Sequence, residues 1–481
     1  MKQKIIGRKY EKNLLETLYK SHQAEFVVVY GRRRVGKTFL VRELFDTRLT
    51  FHHTALSPFE MEKEMEDLLI RHQLRAFGDS LRSHGDYHDT PPSDWFQAFN
   101  WLRDLLSQYP QNKRIVVFLD ELPWLDTPRS GFVTAFEHFW NGWGSGKHNL
   151  MLIVCGSASS WLNDKLINNT GGLYGRTTRE IHLSPFTLSE CKEYFKLKNI
   201  TMSKYDIIQS YMIMGGIPYY MSYIEKDKSL AQNIDNLFFT KSGKLRMEFT
   251  RLFKSLFVSP QKHVDILKFL SKRSSGYTRG EIAKGTNMTS GGGLTSLLQS
   301  LEECDFIMRY IPFGCSSRNT HYKLTDLFSL FYFHFVESSK TVSPSFWNDN
   351  QRGSSLNAWR GFAFEEVCFI HQNKLKEALG ISGIHSEVSM WRNNEPNDHT
   401  QIDMLIDRDD HVVNICEMKF CSDDFEIDKT IDKDLNHKLN VFIRQTKTKK
   451  TPHLTLVTTF GLKHNKYSGH VNNVITMDDL F

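Results

Sequence analysis

An eight-residue stretch of the chain, GRRRVGKT, has the spacing G-x-x-x-x-G-K-[ST] found in loops that bind phosphate groups. Its glycines, Gly31 and Gly36, permit a backbone path that turns N–H groups toward phosphate oxygens, and the helix that follows adds a favourable dipole. Lys37 is placed to reach the β- and γ-phosphates, and Thr38 to set its hydroxyl on Mg²⁺. The alternative is a glycine turn that binds nothing, but the apolar run 26–30 supplies the strand that the motif requires.

A second apolar run, 115–119, ends in two adjacent acids. Continuous apolar runs of this kind are typical of fully buried parallel strands. Asp120 would hold Mg²⁺ through water, and Glu121 would polarise the attacking water as a general base. The pair therefore predicts hydrolysis, which could be slow. The alternative is a buried strand that ends in solvated acids.

Two further polar residues could complete this site. The apolar run 151–155 leads into Gly156 and Ser157, and a small polar side chain at such a strand end can contact the γ-phosphate or the attacking water. Arg176, in the loop TGGLYGRTTRE, could act as a finger on the γ-phosphate, supplied by the same chain or by a neighbour. A plain turn and a solvated loop arginine are equally good interpretations.

The arrangement of these runs indicates how the site is positioned. From Met1 to about Pro185, short apolar strands alternate with helical segments, which is typical of a parallel sheet covered on both faces. The segment 187–250 has a helical composition that is interrupted at 215–218, GGIP. Such a break beside a nucleotide domain could let a lid approach the base and the phosphates.

A different pattern follows between about Gln261 and Val336. Three helical segments precede two strand-like runs, the order expected of a winged helix-turn-helix. The helices are predicted at 263–271, 278–286 and 293–304, and the strands at 306–311 and 320–324. The third helix would present to DNA bases the side chains Ser290, Thr295, Ser296 and Gln299. Because this helix has no basic residue and ends in Glu302 and Glu303, a protein-docking module is an equal alternative.

Charged residues near the C-terminus form a third candidate group. An alternating strand at 401–407 is followed by its hairpin partner at 412–420. Asp403, Glu417 and Lys419 could converge at one end of this hairpin, because residues two apart on a strand share a face. Two carboxylates can hold a divalent metal that polarises a phosphodiester, and an ammonium can stabilise the developing charge.

A third acid for this group could come from Glu365, in a helix that we expect to open at 361–366. Further polar groups lie at 442–447. The alternative is a solvated hairpin with ordinary surface charges.

Length and composition fit a multidomain globular protein. At 481 residues the chain is too long for one core, and 40% hydrophobic with 13% aromatic residues is typical of globular proteins. The formal charge of +6 permits contact with nucleic acid without requiring it. The start of the chain lacks the apolar region of a signal peptide, and no run approaches the roughly 18 apolar residues of a membrane span, so we expect a cytoplasmic protein. The seven cysteines are scattered without a C-x-x-C pair, which favours reduced thiols.

Six motifs occur in the order found in one family. They are Ile6-Gly7-Arg8 followed by Glu11, GRRRVGKT, FLDELPWL from Phe118, CGSASSWL from Cys155, LYGRTTREIHLSPF from Leu173, and MGGIPYY from Met214. On these residues, about the first 250 of the chain resemble the archaeal-type P-loop ATPases of the STAND branch of AAA+-like NTPases.

This resemblance implies an ATP-driven switch with an α/β core, a helical lid and a winged helix. It implies ATP and Mg²⁺ as cofactors, with Gly7 and Arg8 beside the adenine and Pro218 in the lid. The implied nucleotide-binding residues are Gly7, Arg8, Gly31, Arg32, Arg33, Arg34, Val35, Gly36, Lys37, Thr38, Phe39, Asp120, Ser157, Arg176 and Pro218.

The C-terminal part resembles the nuclease-like domain often fused to these ATPases, a relative of the PD-(D/E)xK phosphodiesterases. Asp403, Glu417 and Lys419 fit its core motif, and Glu365 fits its helix acid. The catalytic candidates are therefore Glu121 and these four residues, and the candidate metal ligands are Thr38, Asp120, Asp403 and Glu417. Such domains are not always active nucleases.

Together these observations predict a multidomain α/β protein. We expect a P-loop NTPase parallel sheet at 1–186, a helical lid at 187–250, a winged helix-turn-helix at 251–337, a linker at 338–355 and a C-terminal α/β restriction-nuclease-like domain at 356–481. The expected function is an ATP-binding and hydrolysing switch that controls the last two modules on DNA. The alternatives are a metal-dependent DNA endonuclease gated by ATP, and a scaffold or DNA-binding regulator that holds ATP without turnover. We also expect an unidentified protein partner, no membrane, and the capacity to form an oligomer.

Overall fold

The structure is a computed structural model that describes residues 4–57, 66–157, 159–167, 171–257, 259–337, 343–393, 395 and 398–481. The chain divides into two units. The first comprises residues 1–185 and 252–258, and the second comprises residues 186–251 and 259–481.

The first unit contains a sheet of five parallel strands in the order β2-β3-β4-β1-β5. The strands are β1 (Glu25–Tyr30), β2 (Phe51–Thr54), β3 (Ile115–Asp120), β4 (Leu150–Gly156) and β5 (Arg179–His182). The helices are α1 (Lys9–Tyr19), α2 (Lys37–Phe45), α3 (Glu66–Ser83), α4 (Trp95–Ser107), α5 (Phe132–Gly142) and α6 (Ser159–Leu162). The predicted parallel sheet is confirmed.

Burial explains why these strands form. Every residue of β3 and β4 is buried, as expected of continuous apolar runs covered by helices on both faces. Aromatic side chains fill the space between sheet and helices: the ring of Phe26 lies 5.7 Å from that of Phe136, and the ring of Trp95 lies 5.0 Å from that of Phe132. The sheet is thus packed against the surrounding helices through buried aromatic side chains.

The strand register fixes which residues meet at the edge of the sheet. Tyr30 lies beside both Gly156 and His182, and Thr54 lies beside Asp120. All these pairs are parallel, so the residues that follow β1, β3 and β4 emerge at the same edge. This edge carries the phosphate loop and the predicted acids.

The second unit is mainly helical in its first part. Its helices here are α7 (Leu188–Leu197), α8 (Lys204–Met214), α9 (Pro218–Met221) and α10 (Leu230–Ile234), and helix α11 (Glu248–Leu256) has its last residues in the first unit. The predicted break follows from Gly215, which caps α8 with φ +62°, a left-handed conformation that suits glycine.

The next part, which we call the α12–β8 segment, has three helices and a small sheet. Its helices are α12 (Pro260–Leu270), α13 (Arg279–Gly285) and α14 (Gly292–Glu303), and its strands β6 (Tyr277–Thr278), β7 (Ile307–Tyr310) and β8 (His321–Leu324) pair in the order β6-β8-β7. The side chain of Thr278 caps α13 in a capping box with Glu281. The three helices and strands β7 and β8 lie close to their predicted positions, whereas α12 begins earlier, at Pro260, and β6 was not predicted. The identity as a winged helix stays a prediction.

The C-terminal sheet has five strands in the order β13-β12-β11-β10-β9. The strands are β9 (Ser386–Arg392), β10 (Gln401–Arg408), β11 (Val412–Lys419), β12 (Thr451–Thr458) and β13 (Asn473–Ile475), and the helices of this part are α15 (Leu327–Phe331), α16 (Phe346–Asp349), α17 (Ser354–Ile370), α18 (Gln372–Ala378) and α19 (Lys429–Thr446). Strands β9, β10 and β11 are antiparallel, whereas β11, β12 and β13 are parallel. The β10–β11 hairpin is as predicted.

Two boundaries differ from the sequence-based expectation. Helix α17 begins at Ser354, so Glu365 lies well inside the helix and not at its opening. The expected linker, 338–355, contains helix α16, although 338–342 lie outside the described residues. The N–H groups of Trp347 and Asn348 donate to the carboxylate of Asp235 at 2.7 and 3.1 Å, and this contact orders a segment whose composition resembles a loop.

Two expectations about composition can be compared with the structure. Across the described ranges, no helix is long and apolar enough to cross a membrane. The apolar stretch 327–336 forms α15 and a π-helix at Tyr332–Val336, and most of its side chains are buried. All seven cysteines are free thiols.

Candidate functional site

The phosphate loop joins β1 to α2 in the first unit. Gly31 has φ +132°, and a Cβ placed there would lie 2.5 Å from the carbonyl oxygen of Leu183. Gly36 has φ +95° and precedes the first residue of α2. Both positions therefore require glycine. The loop keeps the path on which phosphate binding depends, and it ends at a helix N-terminus.

Lys37 is held inside the loop. Its ammonium donates hydrogen bonds to the carbonyl oxygens of Gly31 at 2.8 Å and Arg32 at 2.9 Å. Only 6% of Lys37 is exposed. The loop carbonyls thus keep a buried positive charge at the position from which it can reach phosphate oxygens.

Thr38 and Asp120 meet at the same edge of the sheet. The Thr38 hydroxyl donates to Asp120 Oδ1 at 3.1 Å. The same oxygen accepts from the thiol of Cys155 at 2.6 Å and from the backbone N–H of Glu121 at 3.1 Å. Asp120 is 3% exposed, so these donors offset the cost of burying its charge. A hydroxyl and a carboxylate oxygen are ligands that Mg²⁺ prefers, and their closeness fits the predicted metal position.

Cys155 was not predicted as a site residue. Burial, followed by the Asp120 carboxylate, raises the pKa of its thiol well above the ordinary value. The thiol therefore stays protonated and acts as a donor to Asp120 at neutral pH. Cys155 and Ser157 are two residues apart at the end of β4, and this spacing is the signal that could have pointed to a shared role.

Ser157 donates hydrogen bonds to the carboxylate of Glu121. This carboxylate accepts from the Ser157 hydroxyl at 3.0 and 3.2 Å and from the Ser157 backbone N–H at 3.1 Å. Glu121 also has φ +51°, an uncommon left-handed conformation for a non-glycine residue. The backbone conformation at the end of β3 and the hydrogen bonds from Ser157 together fix the orientation of the Glu121 carboxylate.

Arg8 ties the N-terminal segment to the loop. Its guanidinium donates to the carbonyl of Ser184 at 2.6 Å and approaches that of Val35 at 3.4 Å, and Arg8 is 7% exposed. Gly7 has φ +56° and Arg8 has φ +52°. The structure therefore places Arg8 next to the phosphate loop, and the adenine role of Gly7 and Arg8 stays a prediction.

The remaining predicted nucleotide residues lie in several places. Arg32 and Val35 are buried in the loop, and the Arg33 guanidinium lies 5.4 Å from the ring centre of Trp124. Arg34 has φ +78° in the same loop, and Phe39 of α2 is 39% exposed. Arg176 lies in an exposed turn of the first unit, and Pro218 is the first residue of α9 in the second. Their nucleotide roles stay predictions.

The predicted C-terminal residues converge within the second unit; we call Glu365, Asp403, Glu417, Lys419 and Lys438 the acid cluster. Lys419 Nζ lies 2.8 Å from Glu417 Oε1, and Lys438 Nζ lies 2.9 Å from Glu417 Oε2. The strand register of β10 shifts between Ile402 and Leu405, at Asp403. Such bulges redirect side chains.

The members of the acid cluster influence one another's protonation. Burial first, and the Asp403 carboxylate second, raise the pKa of Glu365 to about 8. Burial and then Glu417 raise the pKa of Asp403. Burial alone would raise the pKa of Glu417, but Lys419 and Lys438 lower it below its ordinary value. The two lysines therefore favour a charged Glu417, whereas burial favours a proton on Glu365 at neutral pH.

The cluster partly fits a divalent cation. Glu365 Oε2 is buried without a hydrogen-bond partner among the described residues, which suits an oxygen awaiting a ligand. Conversely, the described part of the chain contains no group of three or more His, Cys, Asp or Glu side chains placed to hold a metal. Lys419 and Lys438 take the positions around Glu417 instead.

Lys438 was missed by the sequence analysis. It lies on α19, 21 residues from Glu417 along the chain, and no local spacing connects the two. Burial tends to lower its pKa, but Glu417 raises it above the ordinary value, so the ammonium stays charged.

Comparisons with known proteins concern mainly the first part of the chain. Residues 6–224 match the family described as "ATPase domain predominantly from Archaea". An uncharacterized protein of Methanocaldococcus jannaschii is 25% identical over 390 residues, which cover 78% of this chain and 79% of that protein. An uncharacterized ATP-binding protein of the same organism is 37% identical over 44 residues, 9% of this chain and 75% of that protein.

Among solved structures, the Walker-type ATPase PABY2304 of Pyrococcus abyssi is similar with a TM-score of 0.44 and 20% identity, over 69% of this chain and 96% of that chain. The matched residues 6–224 contain the phosphate loop, Asp120, Glu121 and Ser157. The similarity to this ATPase-domain family therefore extends over residues 6–224 and includes these site residues.

Proposed function

We propose that this protein is an ATP-driven switch that binds ATP with Mg²⁺ at the phosphate loop and hydrolyses it. One observation carries the proposal: Lys37, Thr38, Asp120 and Glu121 converge at one edge of the parallel sheet. These are the groups that phosphoryl transfer needs, because its catalysis consists mainly of positioning and charge stabilisation.

Each residue has a distinct role in this proposal. The loop N–H groups and Lys37 bind the phosphates, and Thr38 and Asp120 would hold Mg²⁺, which neutralises developing charge when it is bound. Glu121 orients the attacking water and accepts its proton. Ser157 orients Glu121 through the hydroxyl and the N–H that its carboxylate accepts. Arg8 lies near the adenine, Arg176 serves as the finger, and Pro218 belongs to a lid.

The test measures nucleotide binding and phosphate release with purified protein and Mg²⁺. Lys37→Ala should abolish ATP binding, because the loop loses the ammonium that reaches the β- and γ-phosphates. Arg103→Ala, which changes an exposed side chain of the same unit, should bind ATP normally. Normal ATP affinity in Lys37→Ala would sink the proposal, and tight binding without phosphate release in the unaltered protein would favour the non-hydrolysing regulator.

The C-terminal cluster favours a second candidate function, a metal-dependent DNA endonuclease gated by ATP. Two neighbouring carboxylates, those of Asp403 and the buried Glu417, lie with Lys419, as such chemistry needs. In this proposal Asp403 and Glu417 would hold a divalent ion, which would polarise the phosphodiester. The domain division stated above, with a winged helix at 251–337 and a nuclease-like domain at 356–481, belongs to this proposal.

Nicking of supercoiled DNA with Mg²⁺ or Mn²⁺ tests the second candidate. Asp403→Ala and Lys419→Ala should abolish nicking, and Lys374→Ala, an exposed lysine on α18, should not. The absence of cleavage of any duplex or single strand by the unaltered protein would rule the endonuclease out and leave the ATP-driven switch standing.

A further inference from the structure

A groove runs between the α12–β8 segment and strand β9, inside the second unit. Its volume is about 1040 Å³. One wall is strand β7 with the turn before β8, and the other is the β9 residues 387–389. Both β7 and β9 are edge strands of their sheets, so the groove follows two sheet edges.

The charge of this groove is positive. Three arginines from three separate segments line it: Arg279 at the start of α13, Arg309 on β7 and Arg318 in the turn before β8. Glu387 is the single acid among the described residues that line it. Arg309 is paired with Glu302 at 3.2 Å, but its side chain is 66% exposed, so this pair is easily exchanged.

Polar groups in the groove lack partners. The hydroxyl of Ser389 and the Nε of Arg279 are buried and have no hydrogen-bond partner within the described ranges. Arg279 also donates to the carbonyl of Gly291 at 2.8 Å, which fixes its position. For Arg318, the described residues provide no hydrogen-bond acceptor, and the side chain is exposed. The exposed guanidinium of Arg318 therefore remains available to an anionic ligand.

Tyr310 lines the groove. Burial raises the pKa of its phenol, the Arg273 guanidinium lowers it, and the carboxylates of Asp403 and Glu366 raise it further. The two walls are also joined: the Phe313 N–H donates to the Met390 carbonyl at 2.9 Å. Lys323 of β8 forms a buried ion pair with Glu366 of α17 at 2.6 Å.

We propose that this groove binds the phosphate backbone of a nucleic acid through Arg279, Arg309 and Arg318. Guanidinium groups match phosphate geometry, and backbone contacts position a strand without reading its sequence. The proposal rests on the nucleic-acid part of the proposed function. The sequence-based expectation placed the main contact with DNA on α14, at residues such as Thr295 and Gln299. Here the main contact with the nucleic acid is the groove instead. It requires neither ATP hydrolysis nor cleavage.

The test is the fluorescence anisotropy of labelled 20-nucleotide single strands and 20-base-pair duplexes, in EDTA without nucleotide, from 50 to 200 mM salt. Each phosphate contact on a duplex contributes roughly 0.9 to the slope of log affinity against log salt. The double variant Arg309→Ala/Arg318→Ala should lower the slope by about 2 and weaken binding at least tenfold at 50 mM salt. Arg444→Ala is the matched control, because Arg444 is 65% exposed and also pairs with a surface acid.

Three outcomes would overturn the proposal. The first is no salt-dependent binding of either oligonucleotide at 50 mM salt. The second is an equal loss in Arg444→Ala, or a loss confined to Thr295→Ala/Gln299→Ala on α14. The third is binding of a polyglutamate peptide without binding of DNA, which would make the groove a protein-docking site. Phosphate release from ATP, measured on the same samples, separates failure of the groove from failure of the ATPase.

Discussion

The contact between Ser157 and Glu121 allows a quantitative test. Replacement of Ser157 by alanine removes the hydroxyl that lies 3.0 and 3.2 Å from the two carboxylate oxygens, and leaves the backbone N–H at 3.1 Å. A hydrogen bond to a charged group contributes about 1.5–3 kcal/mol. If this contact orients the general base in the transition state, its loss should lower kcat by roughly 10- to 150-fold.

The assay is phosphate release under saturating ATP and Mg²⁺, together with ATP affinity. Ser157→Ala should lose kcat with little change in affinity, because the hydroxyl contacts the base and not the phosphate loop. Ser145→Ala is the control, since the Ser145 hydroxyl is exposed and donates only to the Asn141 carbonyl at 3.4 Å. A kcat that is unchanged or higher in Ser157→Ala would refute the reasoning, because Ser157 would then hold Glu121 away from the water.

Three further predictions follow from single contacts. Gly31→Ala should abolish ATP binding and lower the melting temperature, because its Cβ would lie 2.5 Å from the Leu183 carbonyl oxygen; calorimetric titration with normal affinity would contradict this. Burial lowers the pKa of His53 to about 4. As pH falls from 6.5 to 4, the protein should lose about 3 kcal/mol of its free energy of unfolding, because over this range only the unfolded chain binds a proton at His53. In His53→Phe the melting temperature should depend less on pH over this range. An unchanged pH dependence would show that His53 is not the group responsible. Lys323→Ala should destabilise the second unit by about 3–5 kcal/mol in urea unfolding, because Glu366 stays buried without its partner. The double variant Lys323→Met/Glu366→Leu should recover most of this loss. Equal stability of the two variants would disprove the buried ion pair.

The phosphate loop could be predicted because its signal is local. The strand 26–30, the glycines of the loop and the helix that begins at Lys37 are consecutive in the sequence. The backbone path of the loop requires the glycines at fixed positions. The same is true of Asp120 and Glu121 at the end of a continuous apolar run. The β10–β11 hairpin was predicted for a similar reason, since alternation and a polar turn determine it.

Contacts between distant segments could not be predicted in this way. Lys438 reaches Glu417 from another helix, and the Lys323–Glu366 pair joins a small sheet to α17. Neither leaves a periodicity in the sequence. Cys155 lay inside an apolar run that indicated only burial, although its thiol bonds to Asp120. The early start of α17 was missed because Ser354 and its neighbours have the composition of a loop.

The central claim is that Glu121 serves as the base for ATP hydrolysis. The most direct test compares phosphate release by the unaltered protein and by Glu121→Gln, with Mg²⁺, and ATP affinity is measured on both. The account predicts turnover by the unaltered protein, and in the variant a loss of at least 100-fold with ATP binding retained, since general-base catalysis typically contributes about 10²–10⁴-fold. Equal rates of phosphate release by the two proteins would contradict it.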